Sequence, residues 1–72
     1  MKNQVLVDVK EMIGKYEPTN PTFVQMMLNV FNGKNYEYHD VRNAFETLYN
    51  NNEIKKVSDT SYEIAYGGNG ND

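Results

Sequence analysis

The chain has 72 residues, no cysteine, a single histidine and a formal net charge of −3. At that length it is one domain at most, with a thin core that makes a homodimer or a partner surface a natural expectation. The lack of cysteine excludes disulfides, thiolate metal sites and cysteine nucleophiles together. No apolar run is long enough to span a bilayer, and Asp8, Lys10 and Glu11 interrupt the opening "MKNQVLVDVKEMIGKY" where a signal peptide keeps its apolar core. The expectation is a soluble, cytoplasmic protein with no membrane role.

Val5, Leu6, Val9, Met12, Ile13 and Tyr16 recur at helical spacing and predict a first helix over residues 4–16. Val5, Val7 and Val9 also alternate like a short strand, but nothing continues that period. Gly14 weakens the last turn by roughly 1 kcal/mol relative to alanine. The helix ends at "EPTNP", because Pro18 disfavours helical geometry at Glu17. Asn20 followed by Pro21 is a cap and a first-turn proline, so a second helix runs from Pro21 to about Asn32. Phe23, Val24, Met27, Leu28, Val30 and Phe31 cover more than half of its circumference, which predicts the most buried element of the chain. Met26 and Met27 cannot both face one core, so Met26 is half exposed or set in a dimer contact, against the blander reading of a flexible gap-filler. Gly33 supplies a left-handed stop.

"KNYEYHD" is a connector in which Tyr36 and Tyr38 alternate with Glu37, as a short strand or an extended loop. His39 or Asp40 opens a third helix whose buried stripe is Val41, Ala44, Phe45 and Leu48, and Asp40 suits the positive end of the helix dipole. Asn50-Asn51-Asn52 ends it, since asparagine tolerates the left-handed conformation better than any residue but glycine. A hairpin follows. Ile54 and Val57 belong to its first strand, Ser58 to Ser61 to its turn, and Tyr62, Ile64 and Tyr66 alternate on its return. The closing "GGNGND" holds no apolar residue and predicts a disordered tail over 67–72.

The stretch "DVRNAFETLYNNNEIKKVSDTSYEIAY" resembles the third helix and wing of winged-helix domains. The resemblance rests on Val41, the small-plus-large pair Ala44-Phe45, Leu48, the turn Asn51-Asn52, Ile54, and then Tyr62 and Ile64 on the returning strand. It covers roughly the second half of the chain. It implies a mainly α fold with a small β-hairpin: three helices plus a C-terminal wing, as one winged-helix-like domain over 1–66. The asparagines would then be the joint between a recognition helix and its wing.

Under that resemblance the outward side chains of the third helix are Arg42, Asn43, Glu46, Thr47 and Asn50. Arginine pairs bidentately with guanine and asparagine with adenine in the major groove. The wing would offer Lys55, Lys56, Thr60 and Ser61 to phosphates. The expected DNA-binding set is therefore Arg42, Asn43, Thr47, Asn50, Lys55, Lys56 and Thr60. The competing reading is an ordinary solvated face, because one arginine beside Glu37, Asp40 and Glu46 is a poor electrostatic footprint.

The remaining candidates point away from chemistry. His39 has no second histidine or converging carboxylates to share a metal, so no metal and no cofactor is expected. Tyr36, Tyr38, Tyr49, Tyr62 and Tyr66 could stack on single-stranded bases, but at alternate positions they serve more often as half-buried packing. No Ser-His-Asp arrangement and no glycine-rich phosphate loop stands out, so the chain reads as no enzyme, with no small-molecule substrate. The expected function is a small regulator of transcription or replication that binds duplex DNA as a homodimer, with its dimer contact at Val7 on the first helix. The alternative is a winged-helix adaptor that binds a protein partner and modulates a regulator or polymerase. Eleven asparagines suggest an AT-rich source such as a phage or mobile element.

Overall fold

The computed structural model describes residues 3–66. It consists of three helices, α1 (Asn3–Tyr16), α2 (Pro21–Phe31) and α3 (Tyr38–Asn50), followed by the strands β1 (Ile54–Lys56) and β2 (Tyr62–Ile64). The strands pair antiparallel with Ile54 opposite Ile64, Lys55 opposite Glu63 and Lys56 opposite Tyr62. The architecture is mainly helical and winged-helix-like, as the residue pattern predicts. The expected tail over 67–72 lies outside the described residues.

One core joins all three helices to the hairpin. Val9, Met12 and Ile13 of α1, Val24 and Leu28 of α2, Val41, Ala44, Phe45 and Leu48 of α3, and Ile54 of β1 are buried together. The predicted α3 stripe is thus buried in full, and the first strand docks through Ile54. The strand alternative for Val5, Val7 and Val9 does not form. Tyr16, expected at the end of the α1 stripe, is about two-fifths exposed and packs its ring edge-on against Phe23, with centroids 5.5 Å apart.

Each helix end has a chemical cause. The Asn20 side chain accepts from the Phe23 N–H at 2.9 Å and caps α2, with Pro21 in the first turn. Gly33 adopts φ 69° just beyond α2. At the end of α3, Asn52 stands at φ 63°. Its N–H donates to Tyr49 O at 3.0 Å and the Glu53 N–H donates to Leu48 O at 2.9 Å, which together form a Schellman stop. The three asparagines therefore divide the work. Asn50 ends the helix, Asn51 caps it, and Asn52 turns the chain toward β1.

Two sequence expectations are corrected. α3 begins at Tyr38, ahead of His39 and Asp40, with the Glu37 N–H donating to Asp40 Oδ2 at 3.4 Å. Of the two readings of the connector, the extended loop is the one that forms, over residues 33–37. Above all, α2 is not the most buried element: only Val24 and Leu28 are buried, while Met26, Val30 and Phe31 are 46%, 66% and 70% exposed. Its apolar arc is wider than the surface that α1 and α3 present to it, so the surplus faces outward. The chain between α1 and α2 also joins the sheet. Thr19 and Tyr62 exchange backbone hydrogen bonds of 3.0 and 2.8 Å, giving β2 a neighbour on its second edge.

Candidate nucleic-acid or protein interface

Two polar clusters place α3 and the hairpin. The connector from α2 to α3 is held at Tyr36, whose N–H and C=O both bond the Asn29 side-chain amide at 2.9 Å. The Gln25 amide donates to the same carbonyl at 3.1 Å. The Tyr36 hydroxyl then reaches across to α1 and donates to Asp8 Oδ2 at 2.6 Å. Gln4 donates to the other Asp8 oxygen at 2.9 Å, and Lys34 Nζ lies 3.4 Å from Oδ2.

Burial pushes the Asp8 carboxyl upward, but the hydrogen bonds from Tyr36 and Gln4 and the Lys34 charge outweigh it and hold the group below its usual value. Burial, together with the bond to Asp8, pushes the Tyr36 phenol up to about 12. Asp8 therefore stays ionised and Tyr36 stays protonated across the neutral range. A connector longer than a tight helix-turn-helix turn is thereby tied to both preceding helices. On the hairpin side, Glu17 accepts from the Ile64 N–H at 2.7 Å and from the Tyr66 hydroxyl at 2.9 Å.

The seven expected DNA-binding residues do not share one face. Arg42, Glu46, Tyr49 and Asn50 follow helical spacing along one exposed ridge of α3 and line a cleft of about 320 Å³ with Lys56 and Tyr62. Asn43 and Thr47 lie on the neighbouring ridge, where they line a different cleft with Val5 and Leu6 of α1. The two lysines diverge as well, because adjacent strand residues project to opposite sides. Lys55 faces outward, with its Nζ 3.4 Å from Glu63 Oε2. Lys56 turns toward α3, its Nζ 5.8 and 5.9 Å from the ring centroids of Tyr49 and Tyr62. Arg42, Asn50, Lys56 and Thr60 remain as a connected set.

A second concavity adjoins that set. It is a groove of about 680 Å³ between the start of α2, the first half of α3 and the hairpin turn. Phe23, Met26, Tyr38 and Tyr62 supply its apolar and aromatic lining, Arg42 lies on the α3 side, and Asp59 and Thr60 lie on the hairpin side. Among the described residues, neither Arg42 nor Asp59 has an ion-pair partner within 4.0 Å, in contrast to Lys10, which meets Glu53 at 2.9 Å. Doubts over how two adjacent methionines could share one core single out Met26 in the sequence. Tyr38 and Asp59 carry no such signal, because their convergence depends on the hairpin returning over the start of α2.

His39 is exposed, with its Nε2 3.2 Å from Asp40 Oδ1. Among the described residues no group of three or more His, Asp or Glu side chains is placed to hold a metal ion. No helix there is long and apolar enough to cross a membrane. No protein-family model, no curated protein and no solved structure matches the chain.

Proposed function

We propose that the chain is a winged-helix-like adaptor that docks a protein segment in the groove between α2, α3 and the hairpin turn. The observation that carries this reading is the groove's chemistry. An apolar and aromatic lining is flanked by a cation, Arg42, on one side and an anion, Asp59, on the other, and neither has an ion-pair partner among the described residues. Such a site suits a segment with an apolar anchor, an acidic neighbour for Arg42 and a basic neighbour for Asp59. Tyrosine, methionine and arginine are also the side chains enriched where proteins meet.

Selection of a random peptide display library against the folded protein tests it. Enriched peptides should share an apolar anchor with an acidic neighbour, and the amides of Phe23, Met26, Arg42 and Thr60 should shift on binding. Arg42→Glu should switch the preferred neighbour from acidic to basic. Peptides that bind the Arg42→Glu variant unchanged would remove the groove from the function.

A second reading, a regulator of transcription or replication bound to duplex DNA, is favoured by one observation: Arg42, Asn50, Lys56 and Thr60 line adjoining clefts on α3 and the hairpin. Against it, Arg42 and Lys56 on that face are offset by Glu46 and Asp59, and neutralising phosphates supplies most sequence-independent affinity. A titration of labelled protein with a mixed-sequence duplex at low salt separates the readings. Salt-sensitive shifts along Arg42–Asn50 and Ile54–Ser61, lost in Lys56→Glu, would favour DNA. Their absence leaves the adaptor.

A further inference from the structure

The exposed apolar end of α2 calls for a cover. Val30 and Phe31 are 66% and 70% exposed, with Met26 one turn earlier, on a domain whose core is otherwise closed. The polar side chains of this helix make no demand on an outside partner there. Gln25 and Asn29 are both turned to the Tyr36 carbonyl, at 3.1 and 2.9 Å. What remains outward is an apolar strip over the last two turns.

We infer that this strip is where two copies of the chain associate, α2 against α2, about a two-fold axis near Val30. Charge identifies the occupant. A two-fold axis sets residues near it against their own copies, so any ionised group there meets its like. Each copy carries a net charge of −3, and α1 and α3 both bear acids. No ionisable side chain lies between Glu17 and Lys34, a stretch that contains the whole of α2. Among the helices of the described residues it is the one with no ionisable side chain, so its copies meet without like-charge repulsion. A nucleic acid or a strongly charged protein would find nothing there to pair with, whereas a second copy brings an equally neutral and apolar strip. The sequence-based expectation of a contact through Val7 is thereby replaced by one through α2. The strip shares only Met26 with the proposed groove, which Val30 and Phe31 do not line, so the variants at those two positions test association apart from the groove.

The test is light scattering coupled to size exclusion over a concentration series from micromolar to millimolar. The wild-type mass should rise from 8.3 kDa toward twice that value. The double variant Val30→Glu, Phe31→Glu should stay at the monomer mass with an unchanged circular dichroism spectrum, since neither side chain belongs to the core. Val7→Glu should dimerise like the wild type. Isotope-filtered nuclear Overhauser effects in a mixed-label sample should connect Met26 or Val30 methyls to the Phe31 ring of the other copy, and these need no variant to fold. A wild type that stays at the monomer mass at millimolar concentration overturns the inference. So does a double variant that still dimerises, or intermolecular effects centred on Val7.

Discussion

The bond from the Tyr36 hydroxyl to Asp8 is the contact whose removal has the best-defined consequences. Tyr36→Phe keeps the ring and deletes a 2.6 Å hydrogen bond to an ionised acceptor. Bonds to charged groups contribute about 1.5–3 kcal/mol. Asp8 is only 9% exposed but keeps Gln4 at 2.9 Å and Lys34 at 3.4 Å, so the loss should sit near the middle of that range. About 2 kcal/mol corresponds to a fall in Tm of roughly 10 °C for a domain this small. The pH dependence follows from the same bond. A carboxyl held below its unfolded value of 3.8 contributes stability that is fully present above that pH and is lost as pH falls through the folded value. Removing the largest of the lowering causes leaves burial less opposed, so the Asp8 pKa should rise in the variant and the acid-side loss of stability should shrink. Urea unfolding at pH 7, with a titration of the Asp8 carboxyl carbon by NMR, measures both. A variant within about 0.5 kcal/mol of wild type, with Asp8 titrating as before, would refute the reasoning.

Other changes probe other parts of the fold. On the alkaline side, Tyr36 keeps its proton to about 12 in the fold but only to 10.0 when unfolded, so its contribution is complete below pH 10 and lost above it. The wild type should therefore lose stability faster than Tyr36→Phe between pH 10 and 12, and parallel unfolding curves would show that the phenol is not shielded. Leu48→Ala removes a buried side chain shared by the α3 stripe and should cost about 2–5 kcal/mol in chemical denaturation. Gly14→Ala should stabilise by about 0.5–1 kcal/mol, because a Cβ there meets only Ile64 Cγ1 at 3.7 Å and the helix gains propensity. Thr19→Val replaces a buried hydroxyl that has no hydrogen-bond partner among the described residues and should stabilise the fold by about 1 kcal/mol in chemical denaturation.

The helices were legible because their periodicity and their stop residues agree. The stripe of α3 could be read residue by residue, and Asn52 could be placed in the left-handed region from the run of asparagines and the hairpin pattern behind it. The exposure of α2 could not be read, because an apolar arc reveals what can be buried and not how much surface the neighbours supply. Which outward residues converge on one face could not be read for a similar reason. Arg42, Asn43, Thr47 and Asn50 are all outward on a helical wheel, but whether α1 or the hairpin lies beside each ridge is a tertiary fact. Lys55 and Lys56 read as one basic pair until strand pleating separates them. The groove needs Tyr38 and Asp59, which only the return of the hairpin over α2 brings together.

The departures from the sequence pattern meet on α2. Its first turns, through Phe23 and Met26, line the groove, and its last turns, through Val30 and Phe31, form the uncovered apolar strip. Met26 borders both surfaces. Binding in the groove and association of two copies would then share a side chain, and linkage requires each to alter the other by the same factor. A flexible thioether suits that position, since it can repack against either neighbour at little cost in strain. Met26→Leu keeps the volume and removes that freedom. Its effect on peptide affinity, measured in the wild type and again in the monomeric Val30→Glu, Phe31→Glu background, reads the coupling directly. Equal effects in the two backgrounds would mean that the surfaces are independent despite their shared border.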